Sequence, residues 1–195
     1  CYRAPTPSDL KREAEVLRLL KERFRDWQAK GYIPCRKIES GAETDRLFRE
    51  RGWTHWHHLY NPRQLLMIGL FQDLCISLAT DLTVKVVSLL SIARLANWNS
   101  RLCLWNADGA NEKSEQTFLN QAFNTLANYA NRAHLALTTT CFFNLPERII
   151  TTNSTINPLD ARETTFEADF WITDPPYADA VNYEELSEHF LCWLD

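Results

Sequence analysis

Asp174-Pro175-Pro176-Tyr177 is the stretch whose residue types and spacing best suit chemistry. Neither proline has an N–H to donate and both lock φ, so two in a row belong inside neither a sheet nor a helix. The β-prone run Phe170-Trp171-Ile172-Thr173 must therefore stop at Asp174. The turn that follows is stiff. It fixes two acceptors, the Asp174 carboxylate and the Pro175 carbonyl, together with the Tyr177 ring. Two acceptors and an aromatic plate suit a planar nucleobase with an exocyclic NH₂. Such an amine is a poor nucleophile, because its lone pair is delocalised into the ring. Accepting both of its hydrogens pulls the nitrogen toward a tetrahedral geometry and frees that lone pair. It also stabilises the positive charge that builds up during methyl transfer, an effect commonly worth ~3 kcal/mol of barrier. Tyr177 would stack on a base swung out of its duplex, for ~1–3 kcal/mol. A chance match to this tetrapeptide in a chain of this length is a roughly one-in-a-thousand event.

The elements that position the corner follow from the pattern around it. Phe170–Thr173 and Arg148–Thr152 read as short strands, rich in β-branched and aromatic residues. Asn182 with Glu185 three residues later reads as a capping box for a last helix carrying Leu186, Phe190 and Leu194. Strand, loop, strand, loop, helix is an α/β pattern, with Asp174 at the carboxyl end of a buried strand. Asn182 and Tyr183 lie just past the corner, within reach of a target base.

Upstream the texture is helical. Thr6, Pro7 and Asp9 mark a helix start; Leu10, Leu17, Leu20, Phe24 and Trp27 form one stripe, and Gly31 ends it. A short helix is expected near 43–51. Asn61-Pro62 opens a long one to about Leu78, and Asp81 caps another over about 82–97 whose apolar positions run nearly all round, which predicts burial. Ser114 opens a fourth, with Phe118, Leu119, Ala122, Phe123, Leu126 and Ala130 on one face. Residues 1–134 thus read as a mainly helical insertion or appendage, and 135–195 as part of an α/β core.

The chain has 195 residues, 45% hydrophobic and 24% charged, with a net charge of −4. No apolar run approaches the ~20 residues that cross a bilayer. Residues 1–65 hold 14 Lys/Arg and 9 Asp/Glu, a net of +5, and residues 66–195 hold 7 and 16, a net of −9. A basic front part suits contact with phosphates. Six scattered cysteines with no C-x-x-C pair, most among apolar residues, suit reduced thiols and a cytoplasmic protein. The chain opens on Cys1 and closes on Asp195 within an apolar-periodic segment, which reads as a fragment of a longer protein.

Three segments, "GWTHWHHLYNPRQLL", "TTNSTINPLDARET" and "WITDPPYADAVNYEELSEHFL", resemble the adenine-specific DNA methylases of bacteria and archaea. These are large proteins with an N-terminal domain of unknown function, often found near phage-defence genes. The likeness runs over most of residues 30–195. It implies part of a Rossmann-like, S-adenosylmethionine-dependent methyltransferase sheet, with Asp174, Pro175, Pro176 and Tyr177 in the catalytic roles. It also places Asp160 and Ala161 near the adenine of the methyl donor. The implied partners are DNA and other subunits of a restriction or phage-defence system. The implied reaction is methylation of the exocyclic N6 of a flipped adenine; N4 of cytosine or an RNA base remains open, because the tetrapeptide senses an amine. The family's glycine-rich donor loop has no counterpart among the five glycines, which implies that it lies upstream of Cys1 and that the chain is inactive alone. A second reading is a non-catalytic nucleic-acid-binding or assembly segment.

His55, His57 and His58 lie close together, with Cys35 twenty residues before, but zinc needs a second ligand pair. No metal is expected there; the segment reads as an imidazole and aromatic surface or a phosphate contact. Arg63, on the first turn of the Asn61-Pro62 helix, reads as a solvated side chain or a phosphate contact.

Overall fold

Thr6 accepts a hydrogen bond from the Asp9 N–H at 3.3 Å, and Asp9 returns one from the Thr6 N–H at 2.8 Å. This reciprocal cap, with Pro7 in the first turn, starts helix α1 (Pro7–Ala29). At its end Gly31 takes φ 76°, and the Tyr32 N–H turns back to the Trp27 carbonyl at 2.8 Å. The computed structural model describes residues 4–103, 105–106, 113–114, 116–119, 122–123, 155–177 and 181–194. Helix α2 spans Thr44–Arg51, α3 Pro62–Leu78, α4 Leu82–Trp98 and α5 Tyr183–Leu191. Asn61 and Gln64 cap α3 reciprocally at 2.8 and 2.9 Å, and Asp81 accepts from the Val84 N–H at 3.0 Å to start α4. Among the described residues no helix is long and apolar enough to cross a membrane.

The helices share one core. Leu20 and Trp27 of α1, Leu47 of α2, Leu65 and Ile68 of α3, and Ile92 and Leu95 of α4 are buried together with Trp56, Leu59 and Trp193. Gly69 of α3 packs directly against α1, since a Cβ there would lie 2.3 Å from the Trp27 ring.

The expected α/β class is overturned. Among the described residues the chain is mainly helical, with no parallel pair and no sheet wider than two strands. Among the described residues strand pairing comprises two antiparallel ladders, β1 (Trp105–Asn106) with β2 (Lys113–Ser114) and β3 (Phe118–Leu119) with β4 (Ala122–Phe123), and an isolated antiparallel bridge between Lys37 and His55. The β-prone run Phe170–Thr173 forms no strand and pairs with none of the described residues, with Phe170 87% and Ile172 96% exposed. Propensity describes a residue that fits a pleated, half-buried surface, and no neighbouring strand supplies one here. The last helix does not cover a sheet either: α5 and the turn after it send His189, Cys192 and Trp193 into the helical core. The expected strand Arg148–Thr152 and the boundary at 134/135 lie outside the described residues.

Two helix expectations also change. The fourth helix from Ser114 is replaced at its described positions by β2, β3 and β4. Tertiary bonds win there: the Thr117 N–H and hydroxyl both donate to the Asn97 carbonyl, at 2.8 and 2.6 Å, and hold the chain extended against the end of α4. Helix α4 is not buried all round. Only Ile92, Leu95 and Ala96 are buried, while Leu82, Val86 and Leu90 face outward, because the tip of the α3–α4 hairpin projects beyond the core.

The capping box at Asn182 is not formed, and Glu185 caps a different helix. The Asn182 side chain makes no cap bond. Glu185 accepts from the Glu43 and Thr44 N–H groups at 3.0 and 2.7 Å, so a carboxylate sits on the start of α2, which has no cap of its own. Arg36 and Glu188 pair at 2.6 Å beside it. Gly41 leaves the room: a Cβ there would lie 2.3 Å from the Glu185 carboxyl carbon. Glu185→Ala should lower stability by about 1 kcal/mol. Gly41→Ala should cost a similar amount by displacing the same carboxylate, and the double variant should be no worse than either. Urea denaturation of all three reads this; fully additive losses would rule out the shared cause.

Candidate functional site

The corner Asp174–Tyr177 lies at the end of the unpaired run and before α5, and all four residues are exposed. The Asp174 carboxylate has no hydrogen-bond or ion-pair partner among the described residues, so both oxygens are available as acceptors. Tyr177 is 61% exposed. Its N–H donates to the Tyr183 hydroxyl at 3.5 Å, which joins the corner to the first turn of α5. Tyr183 is thus the expected base contact that the structure places beside the corner. Asn182 is half-buried at the helix start.

Asp160 and Ala161 are in a different setting. Asp160 opens a single 3₁₀ turn, Ala161–Glu163, and accepts from the Arg162 N–H at 2.9 Å. The Arg162 guanidinium forks onto the same carboxylate at 2.5–3.1 Å and holds it below its usual pKa. No hydrogen bond or ion pair among the described residues links this turn to the Asp174 corner. The turn is followed by Phe166, which stacks on Trp171 with centroids 5.5 Å apart.

The described glycines make no donor loop. Gly31 and Gly52 close α1 and α2, while the space over Gly41 and Gly69 is filled by Glu185 and Trp27. With Asp160 also engaged, the described residues do not fit S-adenosylmethionine.

A second cluster is formed by the "GWTHWHH" segment. Gly52 takes φ 68° at the end of α2, and the Trp53 N–H turns back to the Leu47 carbonyl at 3.3 Å, which seats the indole in the core. The guanidiniums of Arg101 and Arg51 lie 4.8 and 6.0 Å from the Trp53 ring centre. Arg101 is delivered by the loop after α4, anchored by its N–H to the Leu59 carbonyl at 2.7 Å. The rings of His57 and His58 are 4.5 Å apart, and His55 is 5.4 Å from each. His57 Nδ1 bonds the Pro34 carbonyl at 2.9 Å, and His58 Nδ1 accepts from the Thr54 N–H at 3.2 Å. Burial, then the neighbouring His58, pushes His57 down to about 4; burial, then His55 and Arg101, lowers His58. Among the described residues no group of three or more His, Cys, Asp or Glu side chains is arranged to hold a metal ion. Arg63 is an exposed side chain, as expected, and it pairs with Glu13 of α1.

Sequence reasoning found the histidines but missed Trp53, Arg51 and Arg101 as a group. Gly52 was a usable signal, since a glycine that ends a helix aims the next side chain back at it. Arg101 carried none, fifty residues away.

Comparison of the chain with protein-family models, with characterised proteins and with solved structures gives no match.

Proposed function

We propose that this chain supplies the target-base half of a DNA amino-methyltransferase that acts, with S-adenosylmethionine as donor, on the exocyclic N6 of a flipped adenine. The observation that carries the reading is the Asp174 carboxylate, without a partner among the described residues and fixed by two prolines next to an exposed tyrosine ring. Asp174 and the Pro175 carbonyl accept the two amine hydrogens, which leaves the nitrogen lone pair free to attack. Pro176 keeps the turn stiff, Tyr177 stacks on the base, and Tyr183 braces the corner through the Tyr177 N–H. The same corner admits N4 of cytosine or an amine of RNA, so the substrate panel includes both. The donor belongs to residues other than those described.

The test is tritiated methyl incorporation into unmethylated DNA by the full-length protein. Asp174→Ala should lower incorporation by at least about a hundredfold, the usual loss for one preorganised hydrogen-bonding group at a reacting centre. Tyr177→Ala should weaken base binding by ~1–3 kcal/mol. Equal incorporation by wild type and Asp174→Ala removes the reading.

A further inference from the structure

We propose that the outward face of α4, carrying Leu82, Val86, Val87 and Leu90, is a dimer interface on which α4 of a second copy of this chain packs antiparallel. This goes beyond the methyl-transfer reading and does not rest on it, since none of these residues belongs to the Asp174 corner.

The face is apolar where a surface helix should be polar. At about 100° per residue, Leu82, Thr83, Val86, Val87 and Leu90 fall within about 140° of one another. The buried residues of α4, Ile92, Leu95 and Ala96, lie on the opposite side. Leu82 is 75% and Leu90 67% exposed, and both valines are exposed between them. Residues 70–92 hold three charged side chains, Asp73, Asp81 and Lys85, and none of them is on this face. The hydroxyls of Ser88 and Ser91 donate to the Val84 and Val87 carbonyls at 2.7 and 2.9 Å, so neither needs water. An uncharged apolar patch of this kind marks an interaction site.

Area, spacing and charge all fit a second copy. With Leu78 at the same tip, the four side chains expose about 500 Å² of apolar surface. A standard interface buries ~800 Å² per partner, of which a little over half is apolar, so the patch is large enough for a dimer. The spacing matches itself. Leu82, Val86 and Leu90 form an i, i+4, i+8 ridge, the kind that interdigitates with its own kind. Laid antiparallel about a two-fold axis at Val86, the ridge brings Leu82 of one copy to Leu90 of the other and Val86 to Val86. The same register sets Arg94 of each copy ~5 Å along the axis from the level of Asp81 of the other. Arg94 is exposed, lies over the Trp98 ring at 5.5 Å, and meets no Asp or Glu among the described residues. An uncharged stretch with an acid at one end and a base at the other is complementary to its own reverse. Lys85 alone gives the tip little pull toward anionic lipid headgroups.

The experiment is sedimentation equilibrium of the whole chain from about 1 to 100 μM, a range that brackets an ordinary micromolar dimer. The expected result is a reversible rise to twice the mass of the chain, with no larger species. Leu82→Glu/Leu90→Glu should weaken the dimer by at least about a hundredfold, because it places carboxylates in an apolar contact. Leu10→Glu, at an exposed leucine of α1, should leave it within about twofold. Thermal melting checks that the double variant is folded. Val86→Glu serves if it is not: one substitution sets two carboxylates against each other at the two-fold axis. Amide exchange of α4 should slow as the concentration rises, and exchange of α1 should not. A chain that stays monomeric across the range overturns the proposal; if it then binds neutral phosphatidylcholine vesicles, the face meets lipid instead. A dimer that Leu82→Glu/Leu90→Glu leaves intact overturns it as well, since another surface would then hold the copies together. Mass that grows without limit means unspecific adhesion and overturns it too.

Discussion

Gly69→Ala should destabilise the protein by about 1–3 kcal/mol, the usual cost of inserting a methyl group into a packed contact. At an ordinary position in a helix the same change helps, because glycine in a helix interior costs roughly 0.5–1 kcal/mol relative to alanine. The sign reverses here because the Cβ of alanine would lie 2.3 and 2.4 Å from two carbons of the Trp27 ring. Trp27 cannot swing away: it is 3% exposed, seated among α1 and α3 side chains, with the Arg23 guanidinium 5.9 Å from its ring centre. Trp27→Ala should cost about 3–5 kcal/mol through lost burial and the cavity left behind. The decisive measurement is a double-mutant cycle by urea denaturation. In a Trp27→Leu background the clash is relieved, so Gly69→Ala should become neutral or stabilising. If Gly69→Ala costs the same in both backgrounds, the close approach of α1 and α3 is not what Gly69 provides.

The helices were legible because their signals are local. Thr6 with Asp9, Asn61 with Gln64, and Asp81 each lie within three residues of the N–H groups they serve. What failed was every inference that needed a distant partner. Phe170–Ile172 has strand propensity, but a strand exists only through its neighbours, and the described residues supply none. Glu185 stands at the right distance from Asn182 for a capping box, yet its carboxylate is taken by α2, more than a hundred residues earlier in the chain. The apolar positions of α4 predicted burial, but how far the α3–α4 hairpin extends beyond α1 is a property of packing. The candidate site divides in the same way. Asp174-Pro175-Pro176-Tyr177 is contiguous and was visible at once. The cluster at Trp53 is assembled from the end of α2, the histidine turn and the loop after α4, and no spacing rule connects them.

Acid should unfold this protein through His189. The ring is fully buried on the inner face of α5. Trp56, Tyr60, Phe118 and Phe190 surround it, with ring centres 5.7, 6.3, 5.1 and 5.1 Å away, and its Nε2 lies 3.4 Å from the Tyr60 hydroxyl. Burial alone pushes its pKa from 6.5 down to about 3. The sign follows from linkage. Between pH 6.5 and 3 the unfolded chain binds a proton at this position and the folded chain does not, so stability is full above 6.5 and falls as the pH drops toward 3. The total is on the order of 5 kcal/mol, with half-buried His57 adding a smaller term of the same sign. His189→Phe should therefore flatten the pH dependence of the urea midpoint between pH 6.5 and 4.5, and His57→Gln should flatten it less. Unchanged slopes in His189→Phe would mean that the imidazole is not held neutral in the core. The consequence reaches the Asp174 corner. Helix α5 holds that corner through Tyr183, and it is anchored by His189, by the Trp193 N–H to Tyr60 hydroxyl bond at 3.1 Å, and by Glu185 on α2. Opening α5 lets His189 take up a proton, so mild acid favours that opening, and Tyr177 and Tyr183 should lose their mutual contact before α1 and α3 separate. Amide exchange of α5 against α3 at pH 5 and pH 7 reads that order.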